Sequence, residues 1–211
     1  MKKAKRSPKP VAQHGKGPIR HSFPQGKGGQ INIQVDFSLA RPPETYYYAD
    51  ALSISVDQEM GVAVLAFGRT NPEGGLRDRL DVVVPRNSLF GGFLNSVRPI
   101  EPSIDQQLEA LKLRPVSRML TGAAQLRGTL FANVIAVATA MEEANIDFYH
   151  MPARDIHFVK AGMVSEITLQ PVMRILSSPV LLKHMISLCR QAAQGELSKG
   201  LLRRPERANV S

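Results

Sequence analysis

The residues with the most chemical potential lie together in Tyr149-His150-Met151-Pro152-Ala153-Arg154-Asp155-Ile156-His157, where two imidazoles flank a carboxylate. Such a set can ligate zinc or an iron-type ion, or act as acid and base. The spacing argues against both. The His-Glu-x-x-His frame, which sets two imidazoles on one helix face, is absent, and Met151-Pro152 reads as a loop. A Ser-His-Asp hydrolase lacks its Gly-x-Ser-x-Gly elbow, and no Gly-x-Gly-x-x-Gly follows a strand. Gly15-Lys16-Gly17 and Gly26-Lys27-Gly28 are short of a P-loop, because each lysine is followed by glycine where magnesium needs a serine or threonine hydroxyl. The sequence therefore assigns no catalytic residue, no cofactor and no metal, and the chain reads as a non-enzyme.

Charge offers a second kind of chemistry. Of the 211 residues, 27 are Lys or Arg and 18 are Asp or Glu, a net charge of +9. The first 30 residues carry Lys2, Lys3, Lys5, Arg6, Lys9, Lys16, Arg20 and Lys27 with no acid, and Arg190, Lys199, Arg203, Arg204 and Arg207 make the far end basic too. The middle is slightly acidic. Lysines neutralise phosphates and aromatics stack bases, so those eight N-terminal cations, with Tyr46-Tyr47-Tyr48, are the candidate nucleic-acid contacts. Any such binding is expected to be non-specific and to lie in the tails. For the tyrosines the competing expectation is strand entry, with Tyr48 buried.

The elements that must carry these residues follow from periodicity. Residues 1–29 are rich in Lys, Pro, Gly and Gln and are expected to be disordered. Ile31 to Phe37 alternates apolar and polar, as a half-buried strand does. Further strands are expected at Leu52 to Val56, Val62 to Phe67 and Leu80 to Val84, with turns at Asp57 to Gly61 and Asn71 to Gly75. Leu89, Phe90, Phe93, Leu94 and Val97 then fall at helical spacing, weakened by Gly91-Gly92. The result is four antiparallel strands and a helix. Ser103 is the expected N-cap of a helix carrying Ile104, Leu108 and Leu111. Val116 to Leu130 reads as a helix or an irregular connector. Strands are expected again at Leu130 to Thr139, Ile146 to Tyr149 and Val164 to Leu169, with Asp155 to Val159 pairing across Ala161-Gly162. Ser178 then caps a helix over residues 179–193 with Pro179 in its first turn, and its Cys189 is expected to be a buried thiol.

The second half repeats the first. Tyr48-Ala49-Asp50 matches Phe131-Ala132-Asn133, Phe67 matches Phe148, and Pro85 matches Pro171 as a strand terminator, with Asp50 and Asn133 expected to tie off local backbone groups. The domains are read as a basic tail over 1–29, a first sheet-plus-helix unit over 30–113, a second over 114–194, and a flexible basic tail over 195–211.

Tyr/Phe-Ala-Asn/Asp before a strand, Asp147-Phe148, Met151-Pro152, and Val164-Ser165-Glu166-Ile167-Thr168-Leu169-Gln170-Pro171 together resemble a bacterial family designated domain of unknown function 3467. The upstream copy departs from it with Ala66 in place of the aspartate and no Met-Pro. The order of strands then helix is similar to that of the export chaperone SecB. That resemblance implies an α+β fold of two SecB-like units of antiparallel strands followed by helices, packed as an intramolecular pseudo-dimer. It also implies a cytoplasmic surface for non-native chains. A single cysteine and no apolar run of membrane-spanning length agree with a cytoplasmic place and no membrane. The expected function is that of a SecB-like chaperone or adaptor whose partner is a polypeptide client or protein complex, with self-association a further option. The alternative is a nucleic-acid-associated accessory protein acting through its tails.

Overall fold

A computed structural model describes residues 19–22, 32–35, 37, 40–113, 115–119, 124–155, 169–195 and 203–207. The chain divides into two compact units. One takes in Met1–Ala40 and Pro152–Thr168. Its described part holds β1 (Ile19–Ser22) and β2 (Asn32–Val35), paired antiparallel with Ile19 opposite Val35. The alternating stretch from Ile31 thus supplies a strand. Its partner β1 falls in the stretch expected to be disordered.

The other unit, Arg41–Met151 with Leu169–Ser211, contains the repeat. The upstream copy comprises β3 (Tyr46–Tyr48), β4 (Ala51–Asp57), β5 (Val62–Thr70) and β6 (Leu76–Pro85), then a π-helical stretch over Ser88–Phe93 that runs into α1 (Leu94–Val97). The widened turn coincides with Gly91-Gly92, where helix propensity is lowest. Next come α2 (Glu101–Ala110) and β7 (Pro115–Met119). The downstream copy comprises β8 (Gln125–Phe131), β9 (Val134–Ala140), β10 (Glu143–His150), β11 (Gln170–Ser177) and α3 (Pro179–Ala193), and β12 (Arg203–Arg207) follows.

The fold is mixed α+β, and its two sheets exchange strands. One has the order β3-β11-β10-β9, and the other is β4-β5-β6-β8 extended at the β4 side by β12 and β7. Each copy's first strand therefore lies in the other copy's sheet: β3 runs parallel to β11 and β8 runs parallel to β6, while the remaining pairs are antiparallel. This corrects the expectation of four antiparallel strands in the upstream copy, whose expected first strand from Ile31 lies in the other unit. Three are antiparallel, and the fourth is parallel and comes from the other copy. The helices follow the same logic, with α3 packed on β4 and the π-helical stretch on β9.

The registers fix which residues correspond. Phe67 lies opposite Leu52 and Leu80, and Phe148 lies opposite Ile135 and Met173. Both rings are fully buried and meet edge to face at 5.7 Å, where the two copies share one continuous core. The proline match fails. Pro85 closes β6, but Pro171 is the second residue of β11, opposite Tyr149 at a register shift, where the lack of an N–H is tolerated. Counting from Met173, the place of Pro85 is taken by Ser178. Val164 to Thr168 of the expected strand and Ile156 to Val159 lie outside the described residues, while Leu169 is buried just ahead of β11.

Three further local readings change. Where it is described, Val116 to Leu130 is strand rather than helix, with residues 116–119 in β7 and 125–130 in β8, which pairs with β6; Leu120 and Ala123 lie outside the described residues. Helix α2 starts at Glu101 with Ile100 at its cap, placing Ser103 inside the helix. Tyr48 is exposed rather than buried. The last helix is as read: Ser178 Oγ accepts from Leu181 N at 3.3 Å and Pro179 opens the first turn.

Candidate functional site

Where each copy crosses from one sheet to the other, the sequence does the same thing twice. Ala49 and Ala132 are fully buried, too small to obstruct the crossing. Ala49 N donates to Leu176 O and Ala132 N to Val83 O, while Asp50 N donates to Gly68 O and Asn133 N to Tyr149 O. The Asx side chains then lock the next strand. Asp50 accepts from Thr70 N at 3.0 Å and Thr70 Oγ1 at 2.6 Å. Asn133 Oδ1 accepts from Met151 N at 2.7 Å and its Nδ2 donates to Met151 O at 2.6 Å. Both tie off polar groups, though not the local backbone groups expected from their type: the partners lie 20 and 18 residues on, and one is the Thr70 hydroxyl.

Beside the first crossing sits a buried ionic cluster. Asp78, 1% exposed, accepts from both Arg69 Nε at 2.9 Å and Nη2 at 2.7 Å, from Tyr47 Oη at 2.6 Å and from Arg127 Nη2 at 3.1 Å. The Arg69 bonds hold its carboxyl far below the ordinary range, although burial works the other way. Burial and the Asp78 bond push the Tyr47 phenol well up. Arg69 comes from β5, Asp78 from β6, Tyr47 from the exchanged β3 and Arg127 from the exchanged β8, so the cluster joins the two copies. It is a fully paired ion network and not an acid-base pair.

Three more shifted groups move away from neutral pH, and one, Asp81, moves towards it. Arg190 and Lys183 lower Glu101 to about 2, binding α2 to α3 with contacts at 2.8 Å. Burial and Asp147 raise the Tyr149 phenol to about 12, and burial pushes up the Cys189 thiol. Asp81, raised by burial, is carried by the outer face of β6.

Of the His-Asp cluster that the spacing argued against, His150 ends β10 and stacks edge to face with Phe131 at 5.5 Å, and Asp155 closes a short helical turn, while His157 lies outside the described residues. No group of three or more metal-binding side chains occurs among the described residues. Arg20 falls in β1; Lys2, Lys3, Lys5, Arg6, Lys9, Lys16 and Lys27 lie outside the described residues.

What remains is surface. The outer face of one sheet carries the row Ser55, Val64, Val83 and Phe131, and that of the other carries Ala138, Asn145, Leu176 and Tyr48. Tyr48 is 54% and Phe131 47% exposed, and they occupy the same place in the two exchanged strands. Tyr46 and Leu126 extend the two patches. Sequence reasoning paired Tyr48 with Phe131 but placed Tyr48 inside. The missed signal is the ensuing alanine: when the buried position is Ala49, alternation turns Tyr48 outward. No protein family, curated protein or solved structure matches the chain.

Proposed function

We propose that this is a non-enzymatic polypeptide-binding protein, a tandem SecB-like chaperone or adaptor in which two repeats form an intramolecular pseudo-dimer in the cytoplasm. The observation that carries the reading is the paired placement of Tyr48 and Phe131, half-exposed aromatics at corresponding positions, each beside partly buried aliphatic residues. Large amphipathic side chains held on a rigid sheet provide contact area at low entropic cost, which suits binding of unrelated apolar segments. The strand exchange supports it by fixing both patches to one core. No described helix is long and apolar enough to cross a membrane.

The test is light scattering of denatured citrate synthase diluted into buffer with a several-fold excess of the protein. Wild type suppresses aggregation, and the double substitution Tyr48→Asp with Phe131→Asp loses at least half of that while keeping the wild-type thermal transition. Absence of suppression by wild type would sink the proposal.

A further inference from the structure

Among the described residues, the four sheet edges of the repeat-bearing unit are not protected alike. The exchanged β3 is only three residues long, β7 contains Pro115 and Arg118, and β8 contains Arg127 and Gly128 with a register shift against β6. Short length, proline, charge and bulges are the usual means of blunting an edge. β9 has none of them. Its sequence is Val-Ile-Ala-Val-Ala-Thr-Ala, its register against β10 runs unbroken, and among the described residues its other side has no partner strand. The corresponding edge in the upstream copy is β4, and it is not left open: β12 pairs with it antiparallel at Arg203 and Leu52.

We propose that the open side of β9 is a strand-addition site for an extended segment of the client polypeptide. The inference rests on the polypeptide-binding reading and names where the backbone of that client is held. β4 shows that an edge in this position accepts an added antiparallel strand. An uncharged seven-residue strand offers unpaired main-chain donors and acceptors that recognise any extended chain, independent of sequence. The direction is also set. A segment running antiparallel to β9 begins beside the Met141 to Glu143 turn, where Glu142 and Glu143 are exposed, and ends near Val134. The preferred occupant is therefore a segment of alternating apolar and polar residues with Lys or Arg at its N-terminal end.

The probe is a fluorescein-labelled peptide, Lys-Arg-Thr-Val-Ser-Val-Thr-Val-Ser, followed by anisotropy against the full chain. Two variants, Val137→Pro and Ala138→Pro, place the missing N–H at adjacent residues. Alternate amides of an edge strand face inward and outward, so one proline breaks the β10 ladder and the other removes only an outward donor. The variant that keeps the wild-type melting transition binds the peptide at least about tenfold more weakly. In amide hydrogen exchange the peptide protects residues 134–140 of wild type, a readout that needs no variant.

Equal affinity in the folded proline variant, no binding by wild type at millimolar peptide, or no protection of β9 each overturns the edge assignment. So does a concentration-dependent dimer of the peptide-free protein that the same proline abolishes, because the occupant is then a second copy. If aggregation suppression persists while the peptide fails to bind, only the edge assignment falls. Loss of both removes the broader reading as well.

Discussion

The two repeats cross between sheets at the same pair of positions, Ala49-Asp50 and Ala132-Asn133, yet the polar side chains they use there are not interchangeable. Asp50 meets a backbone N–H and a threonine hydroxyl, whereas Asn133 meets a backbone N–H and a backbone carbonyl. A carboxylate only accepts, which suits Thr70; Met151 O requires a donor, which only the amide has. The topology is shared, and polar detail has been fitted to each copy separately. The same contrast appears in the helices. Helix α3 is packed by α2 and clamped through Glu101 to Lys183 and Arg190, while α2 follows the upstream copy and has no equivalent after α3 among the described residues.

The largest effect is expected where the copies meet. Phe67→Ala and Phe148→Ala each remove a fully buried ring and leave a cavity, at a cost of about 3–5 kcal/mol. If the two rings act as one contact, denaturant unfolding of the singles and the double shows a coupling of about 0.5–1.5 kcal/mol, the value of an edge-to-face pair. Strict additivity would break the idea that the copies share a core at this point.

The crossings provide a sharper comparison. Asn133→Asp keeps the acceptor for Met151 N but sets a carboxylate oxygen against Met151 O, costing about 2–3 kcal/mol at this part-buried crossing. Asp50→Asn costs less, about 1 kcal/mol or below, because the Thr70 hydroxyl can turn and accept from the new amide. Chemical denaturation of both variants checks the order. Equal losses would mean that the two ties do the same work.

How far the chain could be read from its letters follows the same division between local and distant. The antiparallel hairpins were legible because alternation and turn residues are close in sequence, and Asn71 to Gly75 even sets Arg69 opposite Asp78. Helix α3 was legible to its ends through Ser178 and Pro179. The exchange was not, since β3 and β8 pair in parallel with strands distant in sequence, and nothing local to Tyr46–Tyr48 or Gln125–Phe131 specifies those partners. Consequently Tyr47 and Arg127 could not be placed beside Asp78. Pro171 misled because a proline after an apolar run reads equally well as an end or as a beginning.

The smallest expected effect lies on the outer faces, in the rung that differs most between the copies. In the downstream copy it is Ala136, Asp147, Arg174 and Tyr46, with a two-pronged Asp147–Arg174 pair at 2.7 Å. In the upstream copy the same rung is Ser53, Ala66, Asp81 and Thr129, so an aspartate stands where the arginine would be and its partner has become alanine. Asp81 is buried, its Oδ1 has no hydrogen-bond partner, and the nearby Arg79 at 3.2 Å only partly offsets desolvation, which raises the carboxyl above its ordinary value. A folded-state pKa that is raised makes the group most compatible with folding when protonated, and stability falls as pH climbs through that raised value. Asp81→Asn should therefore stabilise the protein slightly at pH 7, with the gain vanishing below the ordinary aspartate pKa. Glu101→Gln behaves in the opposite sense: Glu101 is depressed to about 2, so its contribution is present at neutral pH and is lost as pH falls from the ordinary glutamate value through that lower one. Urea unfolding of both variants across that range separates the two signs. A loss for Asp81→Asn at pH 7 would show that the Arg79 contact outweighs desolvation, and that the upstream rung is held by its own ion pair as the downstream one is.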